Sequence, residues 1–180
     1  MEHYGERNVD KLWFKNYLTN RFQYCSVHSK NSEKCQVKCG IPQGSVAGPL
    51  LFLIFINDLP NATEFNSILF ADDCTFQLSG ADPNYLIQRA NLELTKAQTW
   101  FEANKLTLHI KKTRYILFKN KNVHIHLSDI VIGDNVIERV GDSCKEKSFR
   151  FLGHWVDENL TWQHHLEKLQ RNAKNEIKTL

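Results

Sequence analysis

Between Ser67 and Leu78 two short β-type runs meet at a pair of adjacent aspartates, Asp72 and Asp73. Aromatic and β-branched residues on either side of a turn predict a hairpin, with Phe70, Phe76 and Leu78 on its apolar side and the two charges at its tip. Side-by-side carboxylates repel each other, so a fold that keeps both ionised usually has a cation to offset them. Oxygen-only ligands on a tight turn suit Mg²⁺, a hard ion that takes one or two carboxylates and completes its shell with substrate phosphates. Asp is also an ordinary turn residue, because its side chain bonds nearby backbone amides. Taken alone, the pair leaves both readings open.

The charge pattern bears on that choice. Residues 39–88 carry no Lys or Arg and five Asp or Glu, whereas residues 1–38 carry seven basic against four acidic and residues 89–180 sixteen against eleven. An acidic, cation-free middle between two basic segments is a layout for a metal-binding centre with phosphate-contacting walls. With 180 residues, 42% of them apolar, the chain can bury one ordinary core. The longest apolar run, Pro49 to Ile56, is eight residues, too short for a bilayer. Glu2-His3-Tyr4-Gly5-Glu6 has neither the basic start nor the apolar core of a secretory signal. Five cysteines at irregular spacing fit a reduced intracellular protein. Cys35-x3-Cys39 reads as one face of a strand with Val37 between, in preference to a zinc ligand pair.

In chain order, Asn8 to Asn20 spaces Val9, Leu12, Trp13, Tyr17 and Leu18 as an amphipathic helix, with Asn8 or Asp10 as a cap. Arg21 to Val27 and Lys34 to Cys39 predict two strands around the polar loop His28 to Glu33. A helix entered almost at once from Met1 suggests that structure upstream is left out. Gly40 to Pro49 holds three glycines and two prolines, a constrained loop whose backbone can approach a ligand or simply a helix entry. The helix over about 45–59 is apolar nearly all round and should be buried. Pro83 to Asn104 predicts a long helix capped by Asp82, with Leu86, Ala90, Leu94, Ala97 and Phe101 on one stripe. Short β-type runs follow at Tyr115 to Phe118, Val123 to Leu127, Ile130 to Ile132 and Val136 to Val140. A last helical pattern runs from His164 through Leu166, Leu169, Ala173 and Ile177. Tyr24, Trp100 and Phe101 could stack bases, although such patterns are more often core. The eight histidines, His164 and His165 included, show no metal-ligand spacing.

Gly40-Ile41-Pro42-Gln43-Gly44-Ser45, Pro49-Leu50-Leu51-Phe52, Ile56-Asn57-Asp58-Leu59-Pro60 and Phe70-Ala71-Asp72-Asp73, in that order and spacing, resemble the reverse transcriptase of non-LTR retrotransposons, the jockey-like group in particular. Glu2-His3-Tyr4-Gly5, Trp13 to Leu18 and Arg21 to Tyr24 look like the segment between the family's first and second motifs. Trp100 to Leu106 with Lys111-Lys112-Thr113 is similar to the fourth motif, with His109 where asparagine is expected, and Phe151-Leu152-Gly153 resembles the fifth. Leu160-Thr161-Trp162 and the helix after it look like the start of the thumb.

The resemblance implies a partial α/β (α+β) reverse transcriptase palm. An antiparallel sheet would carry the Asp72-Asp73 hairpin, with helices 45–59 and 83–104 packed on one face. Residues 1–120 would be palm, 121–157 a β-rich palm end and 158–180 the start of the thumb. Asp72 and Asp73 would ligate catalytic Mg²⁺, or Mn²⁺ in its place. Gln43, Gly44 and Ser45 would lie against incoming dNTP and template. Lys112 would sit near the triphosphate as a proton donor, or else be a solvated lysine. Phe151, Leu152 and Gly153 would grip the primer of an RNA or DNA template-primer. No membrane partner is implied, and family habit places the protein in nucleus or cytoplasm. The fingers and the first motif, with its own metal-binding aspartate, are expected to lie ahead of these residues, so the isolated chain is expected to be inactive. The alternatives are a non-catalytic nucleic-acid-binding remnant of such an element and an unrelated metal-binding α/β domain. The second would have to produce five motifs in order by coincidence.

Overall fold

The computed structural model of the chain describes residues 8–119 and 127–177. The expected Glu2 to Gly5 segment and most of the run at Val123 to Leu127 lie outside those residues. Two compact units are present. One holds the described residues up to Asp58 together with Leu69–Asp73; the other holds Leu59–Ile68 and the described residues from Cys74 onward.

In the first unit the predicted opening helix is α1, Asn8–Leu18. Trp13 lies flat against Tyr17 one turn on, 5.2 Å between ring centroids. Its apolar stripe is more open than the pattern implied, with Val9, Leu12 and Trp13 exposed. The chain leaves α1 through Asn20 at φ 54° into β1, Arg21–Gln23, which pairs antiparallel with β4, Cys35–Val37. Both predicted strands are therefore present but shorter. A second hairpin pairs β2 (Ser26–Val27), the end of the first predicted strand, with β3 (Lys30–Asn31) in the expected loop. Its turn residues His28 and Ser29 both have positive φ, the backbone that matches the twist of flanking strands in a two-residue hairpin. Cys39 lies beyond β4, so the single strand face holds for Cys35 and Val37 alone.

Helix α2 spans Gly48–Ile56 with Pro49 in its first turn, narrower than the expected 45–59. Ala47 C=O accepts the first helical bond from Leu51 N, and residues 45–47 belong to the loop instead. Burial is also one-sided: Leu51 and Ile56 are buried, while Leu50, Leu53 and Phe55 are each about half exposed. A helix apolar on every side needs neighbours on every side, and the described residues do not supply them.

The aspartate hairpin forms as read, from β5, Asn66–Phe70, and β6, Asp73–Gln77, joined through Ala71 and Asp72. The face assignment does not hold. Asn66 Nδ2 donates to Gln77 Oε1 (3.1 Å) across the base, which puts Ser67 level with Phe76 and Phe70 level with Asp73. Phe76 is therefore half-buried and stacked on Phe65 at 4.9 Å, whereas Phe70 is on the open side, 60% exposed.

The second unit is built on α3, Pro83–Ala103. Asp82 Oδ1 accepts Asn84 N (2.9 Å) and Pro83 opens the helix, as the sequence predicts. Ile87 packs with Ile130, Ile132 and Ile137, and Ala90, Leu94, Leu108, Ile110, Tyr115 and Leu127 close in around them. Asn91 ties the loop to the helix, donating to Asp129 C=O and accepting from Val131 N, both at 2.9 Å. The remaining strands are β7 (Arg114–Ile116), β8 (Val131–Ile132), β9 (Asn135–Val136), β10 (Glu138–Val140), β11 (Ser148–Phe151) and β12 (His154–Asp157), followed by α4, Gln163–Ile177.

The mixed helix-and-strand class holds, but the single antiparallel sheet does not. Among the described residues the strands form six separate two-stranded ladders, and β7 with β10 is parallel. Runs of two to five residues ended by turns carry too few ladder bonds to recruit a third strand. Helix α3 packs on β8 and on the 3-10 turn Leu59–Ala62. No described helix is long and apolar enough to cross a membrane.

Candidate functional site

The tip of the β5–β6 hairpin is tight because only two residues close it, and Ala71 takes the left-handed φ of 50° that such loops require. Asp72 occupies the loop and Asp73 begins β6, so both side chains leave the hairpin at its end, and both are exposed. Among the described residues no hydrogen bond or ion pair engages either carboxylate, and no group of three or more His, Cys, Asp and Glu side chains is placed to hold a metal. Two successive oxygen donors with open lone pairs fit a hard cation that fills the rest of its shell with water and phosphate oxygens.

The Gly40 to Pro49 loop lies in the same unit as Asp72 and Asp73. Ser45 N donates to Pro42 C=O (3.4 Å), closing a turn with Gln43 and Gly44 at its centre. Gly44 has φ +77°, which the third position of such a turn reserves for glycine, and the space where a Cβ would stand is open. Gln43 is exposed. Ser45 Oγ is buried without a hydrogen-bond partner among the described residues. Arg21 fastens the loop, its Nη2 donating to Gly40 C=O and its Nε to Leu18 C=O (3.0 Å). The sequence reading gave Arg21 no such role, since an arginine at a strand start has no pattern to mark it.

The other expected site residues fall in the second unit. Lys112, exposed, ends the 3-10 turn Ile110–Lys112 just ahead of β7. Phe151 closes β11, and Leu152 (φ 44°) and Gly153 (φ 90°) form the turn into β12, with Phe151 opposite His154. These three residues therefore sit at the tip of a β11–β12 hairpin. Phe101 is core, 5% exposed, and Trp100 is half-buried beside it, while Tyr24 is exposed.

Two buried carboxylates contrast with the open pair. Glu93, 1% exposed, accepts from Lys96 Nζ (2.7 Å) and Glu64 N (2.8 Å), and the Lys96 bond chiefly holds its carboxyl below the usual range. Asp157, 7% exposed, is pushed up by burial, but backbone and hydroxyl donors from Thr161, with Asn159 N and Trp162 N, outweigh that and hold it low. Asp157 and Thr161 are side chains that bond local backbone, and their spacing was the available signal for this knot.

The chain thus carries paired carboxylates on a hairpin tip, a glycine turn in the same unit, and a further hairpin ahead of a helix. Residues 1–156 match the family described as Reverse transcriptase (RNA-dependent DNA polymerase), and the chain belongs to that family. Its relatives include the RNA-directed DNA polymerase from mobile element jockey of Drosophila melanogaster, 23% identical over 92% of this chain, and the probable RNA-directed DNA polymerase from transposon BS of the same organism, 25% identical over 92%. The probable RNA-directed DNA polymerase from transposon X-element, also of Drosophila melanogaster, is 44% identical over 26% of this chain and 5% of its own length. The chain spans 18% of the length of the jockey and BS proteins. No solved structure matches it.

Proposed function

We propose that these residues are the second-to-fifth-motif part of an RNA-directed DNA polymerase of a jockey-like non-LTR retrotransposon. Residues 1–120 and 121–157 would be palm and 158–180 the start of a thumb. The observation that carries this reading is the open Asp72-Asp73 pair at the two-residue hairpin tip, in a chain whose residues 1–156 match the family.

The reaction joins a primer 3′ oxygen to the α-phosphorus of a dNTP and breaks the bond to the bridging oxygen, releasing pyrophosphate. Asp72 and Asp73 would hold Mg²⁺ or Mn²⁺, which would supply stabilisation of charge on the attacking and leaving oxygens. Gly44 presents bare backbone to the nucleotide and template, flanked by Gln43 and Ser45. Lys112 Nζ gives a proton to the leaving pyrophosphate. The Phe151-Leu152-Gly153 turn grips the primer strand, and RNA or DNA serves as template. The same reading places the protein in nucleus or cytoplasm.

Among the described residues none of the strands β1–β4 ahead of Gly40 carries an aspartate that would add to this metal-ligand pair. Losing about 4–6 kcal/mol of transition-state stabilisation slows a step by roughly 10³–10⁴. The 180-residue chain alone therefore binds template-primer with salt-dependent affinity and extends nothing. Primer extension on an RNA template tests this, using the chain and the product of the whole open reading frame that encodes it. Extension by the longer product, lost in Asp72→Asn, is the expected outcome. Product from the isolated chain that vanishes in Asp72→Asn would overturn the incomplete-site reading. A longer product indifferent to Asp72→Asn would overturn the catalytic one.

A further inference from the structure

The five residues between β12 and α4, Glu158 to Trp162, contain no glycine, yet Leu160 and Trp162 sit at φ 53° and 61°. Non-glycine residues persist in that region only when their surroundings over-determine them. Asp157 supplies the determination. Its Oδ1 accepts from Asn159 N (3.0 Å) and Thr161 N (3.1 Å), and its Oδ2 from Thr161 Oγ1 (3.0 Å). Thr161 Oγ1 in turn accepts from Gln163 N (3.4 Å), the first residue of α4. One buried carboxylate thus connects the last residue of the β11–β12 hairpin to the first residue of the helix.

The two elements also meet side by side. Trp155 N donates to His165 Nδ1 (3.4 Å), the His154 and His165 rings lie 5.1 Å apart, and Lys168 Nζ stands 5.1 Å over the Trp155 ring. These contacts are half-exposed and individually weak, so the elbow sets the arrangement and the side contacts follow it. We propose that Asp157 is a positioning residue that fixes the direction of α4 relative to the β11–β12 hairpin, so that both present one preformed surface to a primer strand. The part concerning the primer rests on the function proposed above.

The test uses the 180-residue chain with its four tryptophans replaced by 5-fluorotryptophan, and a template-primer duplex with a recessed 3′ end. In Asp157→Asn the fluorine resonances of Trp155 and Trp162 should broaden or split, those of Trp13 and Trp100 stay in place, and template-primer affinity fall about tenfold, the size of one lost charge-assisted contact. Thr161→Ser should match the parent, and Thr161→Val should lie between. A merely stabilising Asp157 would lower the melting temperature while leaving line shapes and affinity below it unchanged; that result overturns the proposal. Should Asp157→Asn disturb Trp13 and Trp100 too, the Thr161 pair decides: equal affinities for Ser and Val overturn it, and a weaker Val supports it. Leu152→Asp separates the two readings. If it leaves affinity unchanged, the primer assignment of that turn fails, while the fluorine lines still report on the elbow.

Discussion

Asp157 and Glu93 are buried and surrounded by donors, while Asp72 and Asp73 stand in solvent with none among the described residues. That difference separates structural carboxylates from those available to a ligand. Both buried groups are held below the ordinary carboxylate range. A depressed folded value contributes stability that is complete above the unfolded value, about pH 4, and lost as pH falls below it. Denaturation midpoints should therefore be insensitive to these two groups near neutrality and drop below roughly pH 4. Urea titrations of Glu93→Gln and Asp157→Asn should each show a shallower acid limb than the parent.

At the scale of elements, the local signals that carry a stereochemical reason were the legible ones. Asp82 before Pro83 marked the start of α3, and Asp82→Ala should lower stability by about 1 kcal/mol in thermal unfolding. Gly153 turns the β11–β12 hairpin at φ 90° with open space around it. Gly153→Ala should accordingly cost roughly 1–2 kcal/mol from backbone strain alone, with no clash to relieve. What the sequence did not disclose was pairing across distance. Phe70 alternates with the correct period but on the outer face, because the register across Ala71 and Asp72 decides which side Phe76 shares. The parallel match of Arg114 with Glu138 joins residues 24 positions apart, and no local pattern encodes it. The β2–β3 hairpin was hidden because His28-Ser29 lacks the glycine or asparagine that usually announces such a turn. The candidate site residues were legible from motif order and the Asp157 knot from local spacing, whereas Gly40 C=O is brought to Arg21 only by the fold.

Over the whole molecule, burial is uneven. The second unit has a continuous core of Ile87, Ile130, Ile132 and Ile137, while the first offers Leu51 and Ile56 with Leu50, Leu53 and Phe55 half open. Protection against hydrogen exchange follows local burial. Amides of α3 should therefore exchange slowest and those of α1 and β1–β4 fastest. Ile132→Ala should cost about 2–4 kcal/mol and lower protection throughout the second unit. The unit holding Asp72 and Asp73 is thus the less consolidated one among the described residues.

The hairpin tip is the proposed seat of the cation. Titrating the isotope-labelled 180-residue chain with Mn²⁺ while recording backbone amide resonances tests it directly. Broadening centred on residues 70–75, reversed by excess Mg²⁺ and lost in the Asp72→Asn, Asp73→Asn double variant, is the predicted result. Broadening that ignores this turn, or survives the double substitution, would contradict the account.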